Sequence, residues 1–242
     1  MERIPMNFIP DFPPVTQAWA ISSTICSLLV DYQYIDHIDL VYSPQLVFQK
    51  HQYWRLITCF LYMGKLDLNL VLNLYNVMTY SKQLEERRGL GSRFSYLWFL
   101  TVHCCLLVGY ATYCKNHYFL STVLTDSLMY YYARQNPELR MGVFAGVIEF
   151  RAEYYGFYSV FITMFLKFLN EGTEKLLDTS SILDSLTGVI LGHLMFYCDE
   201  VFSKVHGFSP ISAPWEWNWA GLVQRVQSFR RPAANAVRPH QD

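Results

Sequence analysis

HQYWRLITCFLYMGKLDLNLVLNLYNVMTYSKQLEE, His51 to Glu86, is the stretch whose reading decides the fold. It is apolar enough for a membrane segment, yet Trp54-Arg55 stands near its start and Asn69, Asn73 and Asn76 lie inside it. The asparagines are spaced i, i+4, i+7, so they share one face of a helix. A lone intramembrane Asn is commonly interhelical glue worth about 1 kcal/mol. Three on one stripe serve either a heavily bonded bundle core or a face lining a wet cavity. Arg55 is costly against hydrocarbon. Near the interface it either snorkels beside an anchoring Trp54 or bonds the carbonyls of a loop that dips into the membrane.

Composition widens this reading to the whole chain. Of 242 residues, 52% are hydrophobic, 17% aromatic and 16% charged, where an ordinary soluble domain carries about 25% charged residues. Apolar blocks alternate with short charged connectors, which predicts a small all-α polytopic membrane protein. The net charge of −1 provides no basic field for nucleic acid. The N-terminus MERIPMNFIPDFPP lacks the charged and apolar regions of a cleaved signal, so targeting falls to the first membrane helix. The six cysteines form no CxxC or zinc-finger spacing, so neither a metal nor a cofactor is expected. Most read as buried thiols. A Cys59–Cys114 bridge is conceivable because both lie near the same membrane face.

Six blocks are candidate spans: Val15 to Val30, Leu66 to Tyr80, Phe94 to Tyr113, Tyr118 to Tyr132, Tyr154 to Leu169 and Ile182 to Val201. Several are shorter than the roughly 20 residues a bilayer core requires and carry polar residues, a mismatch met by thinning the bilayer or burying polar groups in a bundle. With both termini and the second and fourth loops on one side, 13 of the 19 Lys plus Arg fall there and 6 on the other. By the positive-inside rule both termini are then cytosolic. The predicted division is a cytosolic N-terminus (1–14), a six-helix membrane domain (15–203) with an amphipathic interfacial loop (31–65), and a cytosolic tail (204–242). Trp215, Trp217 and Trp219 form an aromatic cluster in that tail, and its end is polar enough to be disordered.

In the last block Gly188 and Gly192 stand four apart, a spacing that lets a neighbouring helix approach closely. His193 follows as either a proton relay or a hydrogen-bonded structural group. The second is favoured, since no carboxylate–histidine–nucleophile order surrounds it.

Together YWRLIT, NLYNVMTYSKQLEE, RQNPELRMGVFAG, GVILGH and SAPW occur in the order and spacing of the Derlins, the rhomboid-like pseudoproteases of the endoplasmic reticulum. The resemblance runs from about Phe12 to Trp219. LVYSPQLVFQKHQYWRL is especially similar to the Der-type fungal branch. The resemblance implies a rhomboid-like fold. In it Trp54-Arg55 belongs to a loop in the lumenal leaflet, and the polar face of helix two, Asn69, Asn73, Asn76 and Glu85, joins a bonded core. It further implies a non-enzymatic factor that receives misfolded lumenal or membrane proteins and helps pass them to the cytosol for ubiquitination. A membrane RING-type ubiquitin ligase and its adaptor are the implied partners, with an indirect link to a cytosolic AAA unfoldase.

Two departures from the wider pattern bear on activity. The fourth block has no Gly-x-Ser: neither Ser121 nor Ser127 follows a glycine two residues back. His193 comes after Gly192, whereas the protease histidine precedes its GxxxG. The alternative of an intramembrane serine protease therefore lacks nucleophile and base. The tail from Ala220 to Asp242 has no Gly-rich box for direct unfoldase recruitment. A channel or transporter, the other alternative, would carry inverted halves, and none is visible.

Overall fold

The computed structural model describes residues 12–89, 93–114, 120–143, 148–171, 179–207 and 209–215. Its architecture is a helical bundle in which helices fall on all six apolar blocks, with ends shifted by a few residues. Helix α1 is Pro14–Asp31, started by a proline whose missing N–H costs nothing in the first turn. The loop after it holds three short helices, α2 (His37–Leu40), α3 (Pro44–Gln49) and α4 (Arg55–Leu61).

Helix α5 (Leu68–Asn76) begins where the Asp67 carboxylate accepts the Leu70 N–H at 2.9 Å. It runs without a break through a π-helical turn, Val77–Ser81, into α6 (Lys82–Gly89). Then come α7 (Arg93–Cys114), α8 (Leu120–Gln135), an antiparallel hairpin of β1 (Arg140–Val143) and β2 (Ile148–Arg151), and α9 (Tyr155–Glu171). The last long helix is α10 (Thr179–Phe196), which passes through a second π turn, Tyr197–Val201, into α11 (Phe202–His206).

The hairpin was not expected; residues 140–151 read as a charged connector. Met141 and Phe150 pair across it and are both buried, while Arg140 pairs with Arg151 and Gly142 with Glu149. Period-two alternation gives the short strands an inward face. Phe150 stacks on Tyr158 of α9, ring centres 4.2 Å apart, so the hairpin is docked rather than free. The tail differs too. The helix continues past residue 203 to His206, and Ile211 and Ala213 are buried again. Cys59 is a buried free thiol, so the conceivable bridge to Cys114 is absent. Residues 1–11, Trp217, Trp219, the end of the tail and the side chains of Asn69 and Cys114 lie outside the described residues.

Helix α8 is the centre of the bundle: Leu120, Ser121, Val123, Leu124, Thr125, Ser127, Leu128, Met129, Tyr131, Tyr132 and Ala133 are all buried. Against it lies α10. A Cβ on Gly188 would sit 2.7 Å from Asp126 Cβ and 3.0 Å from the Val123 carbonyl oxygen. One on Gly192 would sit 2.6 Å from the Ser127 carbonyl oxygen. The two backbones thus meet where side chains are missing. The outside of the bundle is apolar as well: Ile21 and Ile25, Val71, Leu97 and Leu106, Phe157 and Phe161, and Leu186 and Ile190 are exposed on five different helices. A protein in water rarely shows that much continuous apolar surface. Among the described residues two helices, Phe94–Tyr113 and Ile182–His206, are long and apolar enough to cross a membrane.

Two glycines offer a controlled contrast. Gly192→Ala forces its methyl against backbone and is expected to destabilise by about 1–3 kcal/mol. Gly109→Ala meets nothing within 4 Å and is expected to be neutral or to stabilise by up to about 1 kcal/mol. Thermal unfolding midpoints of the two variants in detergent check this.

Candidate functional site

Three polar constellations stand out, and each depends on a charged side chain that the apolar frame buries (Glu85, Arg55) or half-buries (Arg88). The first joins α1, α6 and α7. Pro13 provides no side-chain cap for α1. Glu85, one turn after the π segment, supplies it from another helix: its carboxylate accepts the N–H of Val15 at 3.0 Å and of Thr16 at 2.7 Å. The Thr16 hydroxyl donates to the same carboxylate at 2.8 Å and lies 2.9 Å from Ser81 Oγ, which in turn lies 2.6 Å from the Tyr96 hydroxyl. Thr16, Ser81, Glu85 and Tyr96 are all buried. A carboxylate at a helix amino end is favoured by the unpaired N–H groups and the dipole.

The second lies at the same end, between α6, α8 and the π turn of the last helix. Arg88 pairs with Asp199 Oδ2 and donates to the Tyr131 hydroxyl at 2.6 Å, and that hydroxyl donates to Asp199 Oδ2 at 2.5 Å. The guanidinium lies over Phe99, its carbon 3.8 Å from the ring centre. Burial works against the Arg88 charge, but Tyr131 and Asp199 outweigh it and its pKa is raised from the ordinary value. Gln135 bridges Tyr131 and Glu200, while Arg87 donates to Gln135 and Asn136. Neither Arg88, Tyr131 nor Asp199 was singled out from the sequence. The signal was there in principle: a charge-poor chain places both ions at the ends of apolar helices.

The third is the loop around Arg55. Its side chain is buried and donates to Gln52 Oε1 at 2.6 Å, to the carbonyls of Ile38 at 2.7 Å and Val41 at 3.1 Å, and to Asp39 at 3.2 Å. These partners all belong to the loop, so Arg55 folds the loop upon itself. Docking to the bundle falls to others. Trp19 Nε1 donates to the Phe60 carbonyl at 3.3 Å and Ser121 Oγ to that of Tyr62 at 2.5 Å, while the Tyr42 and Thr112 hydroxyls meet at 2.6 Å. Trp54 is 55% exposed, beside exposed Tyr53 and Ile57.

The remaining candidates are dispersed. Asn73 and Asn76 are half-buried on α5, and among the described residues their side chains take no hydrogen bond. The bonded part of helix two lies further along, at Ser81 and Glu85. Gly188 and Gly192 face α8 as described. His193 is turned to the outside, with Nδ1 3.2 Å from the Tyr130 hydroxyl. Ser127 Oγ is buried with no hydrogen-bond partner among the described residues. Ser121 and His193 are thus held by different partners.

A bundle with an apolar exterior and buried ions tying its helix ends defines a membrane-type helical protein. The sequence model of the Der1-like family, a membrane family, matches residues 12–215, and the chain belongs to that family. It is similar to Derlin-2.2 of Arabidopsis thaliana, 29% identical over 213 residues covering 84% of this chain and 82% of the relative. It is also similar to degradation in the endoplasmic reticulum protein 1 of Saccharomyces cerevisiae, 24% identical over 90% of this chain and 97% of the relative. Derlin-1.1 of Zea mays is 23% identical over 97% and 90%.

The Arg88–Asp199 pair is testable by a double-mutant cycle. Arg88→Met leaves the half-buried Asp199 carboxylate with two hydroxyl donors and no counter-charge and is expected to cost about 3 kcal/mol, whereas Arg88→Met with Asp199→Leu recovers part of the loss. Detergent-resistant thermal stability reads the cycle.

Proposed function

We propose that this protein is a non-catalytic factor of endoplasmic-reticulum-associated degradation, a multi-pass protein of the reticulum membrane. It receives misfolded lumenal or membrane proteins and assists their passage to the cytosol for ubiquitination. Its fold is rhomboid-like with six spans and both termini cytosolic. A RING-type membrane ubiquitin ligase and its adaptor are its partners, and the AAA unfoldase is reached indirectly.

Helix length is the observation that carries the mechanism. At about 1.5 Å per residue, the described 16 residues of α8 and 17 of α9 span about 24–26 Å, short of the roughly 30 Å hydrocarbon core. Lipid beside a short helix thins, and a thinner layer lowers the cost of carrying polar backbone across. The half-buried, unbonded amides of Asn73 and Asn76 are then free to bond a passing chain. Membership of the Der1-like family, one relative of which is named for degradation in the endoplasmic reticulum, supports the same reading. The Arg55 loop covers the lumenal end, with exposed Trp54, Tyr53 and Ile57 entering the headgroup layer.

Loss of Arg55 strips four side-chain bonds from the loop. Arg55→Ala is therefore expected to lengthen the half-life of a misfolded lumenal glycoprotein severalfold in a cycloheximide chase. Membrane level and ligase co-purification in mild detergent should stay near wild type. Normal turnover at equal expression defeats the assignment.

Orientation is tested separately. A protease added to sealed microsomes is expected to remove the tail beyond Trp219 and spare residues 31–65; protection of the tail reverses the topology.

A further inference from the structure

After the last helix the chain does not leave the bundle at once. Gly207, at φ +70°, ends α11 in a left-handed turn. Beyond it Ser209–Trp215 lies back along the bundle as a strap. Ser209 Oγ donates to Asp199 Oδ1 at 2.7 Å, and the same hydroxyl accepts the N–H groups of Ile211 and Ser212, each at 3.3 Å. Ile211 and Ala213 are buried. At the far end Trp215 meets Trp98 of α7 edge to face at 6.0 Å, closing a groove of about 410 Å³ lined by Phe94, Leu97, Trp98 and Thr101. One hydroxyl therefore organises the strap and fastens it to the acid that already holds Arg88.

That hydroxyl belongs to Ser209-Pro210, with Ser209 half-buried, Pro210 exposed and no regular secondary structure around them. A serine followed by proline in an irregular segment is the substrate form of a proline-directed protein kinase. We propose that Ser209 is a phosphorylation site and that its phosphate releases the strap. In the transfer, Ser209 Oγ bonds to the γ-phosphorus of ATP while the bond to the β–γ bridging oxygen breaks. ADP leaves, and the hydroxyl proton passes to the kinase's base.

The consequence follows from charge. A donor proton 2.7 Å from Asp199 is replaced by a group carrying roughly −1.5 to −2 charges. The acidic group against it is Asp199, whose cation Arg88 is already engaged on Oδ2 and on the Tyr131 hydroxyl. Like charges pushed together at one point separate, and the separable part is the strap. Its departure frees the segment from Ser209 onward and opens the face of α7 that Trp215 covers.

A cytosolic proline-directed kinase reaches Ser209 in the cell only if the tail is cytosolic, so the inference rests on the orientation proposed above. The full chain, purified in detergent, is incubated with a purified proline-directed kinase and radiolabelled ATP. Label mapped by peptide sequencing to Ser209, apart from the chain's other Ser-Pro at Ser43, supports the site when Ser209→Ala abolishes it. No label at Ser209 in the wild type overturns it. The same kinase added to sealed microsomes separates the two readings: Ser209 label that appears only after detergent leaves the site standing and defeats the orientation. Hydrogen exchange then reads release. The amides of Ile211 and Ser212 are expected to exchange about tenfold or more faster in the phosphorylated protein, and more than in Ser209→Ala. Exchange unchanged by phosphate, or matched by Ser209→Ala, overturns the switch.

Discussion

Glu85 sets one end of this bundle. Its carboxylate takes up the orphan N–H groups of α1, a helix whose own start is two prolines with nothing to cap it. Glu85 and Ser81 belong to one helix, Thr16 to another and Tyr96 to a third, so the carboxylate holds α1 while Ser81 ties in α7, and the network joins three elements. Removal of any member leaves buried polar groups unpaired, the costly half of hydrogen bonding in an apolar setting. Arg88, three residues on, then reaches α8 and the last helix from the same platform. The order of dependence is clear: capping of α1 positions α6, and α6 positions the arginine.

Elsewhere contact is made without charge. Gly188 and Gly192 bring α10 against the backbone of α8, whose other neighbours include α5, α7, α9 and the loop helix α4. One region of the bundle is thus held by backbone proximity and another by ions. Helix α8 belongs to both kinds: Gly188 and Gly192 close on its backbone, while its Tyr131 enters the ionic network and its Ser121 holds the Tyr62 carbonyl.

Legibility in the sequence follows the range of each interaction. Helices, their shortness and the glycine stripe arise from neighbours in the chain and could be read there. The buried role of Arg55 could be framed as a choice between snorkelling and bonding carbonyls, yet its partners at Ile38 and Val41 depend on how the loop folds. Glu85 was grouped with the asparagines because it follows them in one helix, although its partners lie about seventy residues earlier. The π turn between them alters which face it occupies. The Arg88–Asp199 pair spans more than a hundred residues, and no local period announces it. The hairpin was obscured by its charges: Arg140, Glu149 and Arg151 masked the alternation of Met141 and Phe150.

The two π turns carry a consequence of their own. Each inserts one residue's worth of winding, about 100° of phase, between an apolar stretch and an ionic one: Val77–Ser81 before Glu85 and Arg88, and Tyr197–Val201 at Asp199 itself. Every residue after the turn faces a direction that an unbroken α-helix would give to its neighbour. Two helices thereby present one azimuth to their apolar surroundings and another to their partners at the ionic end. A one-residue deletion in either turn would restore ideal winding, and in doing so would rotate the charged residues away from the groups they bind.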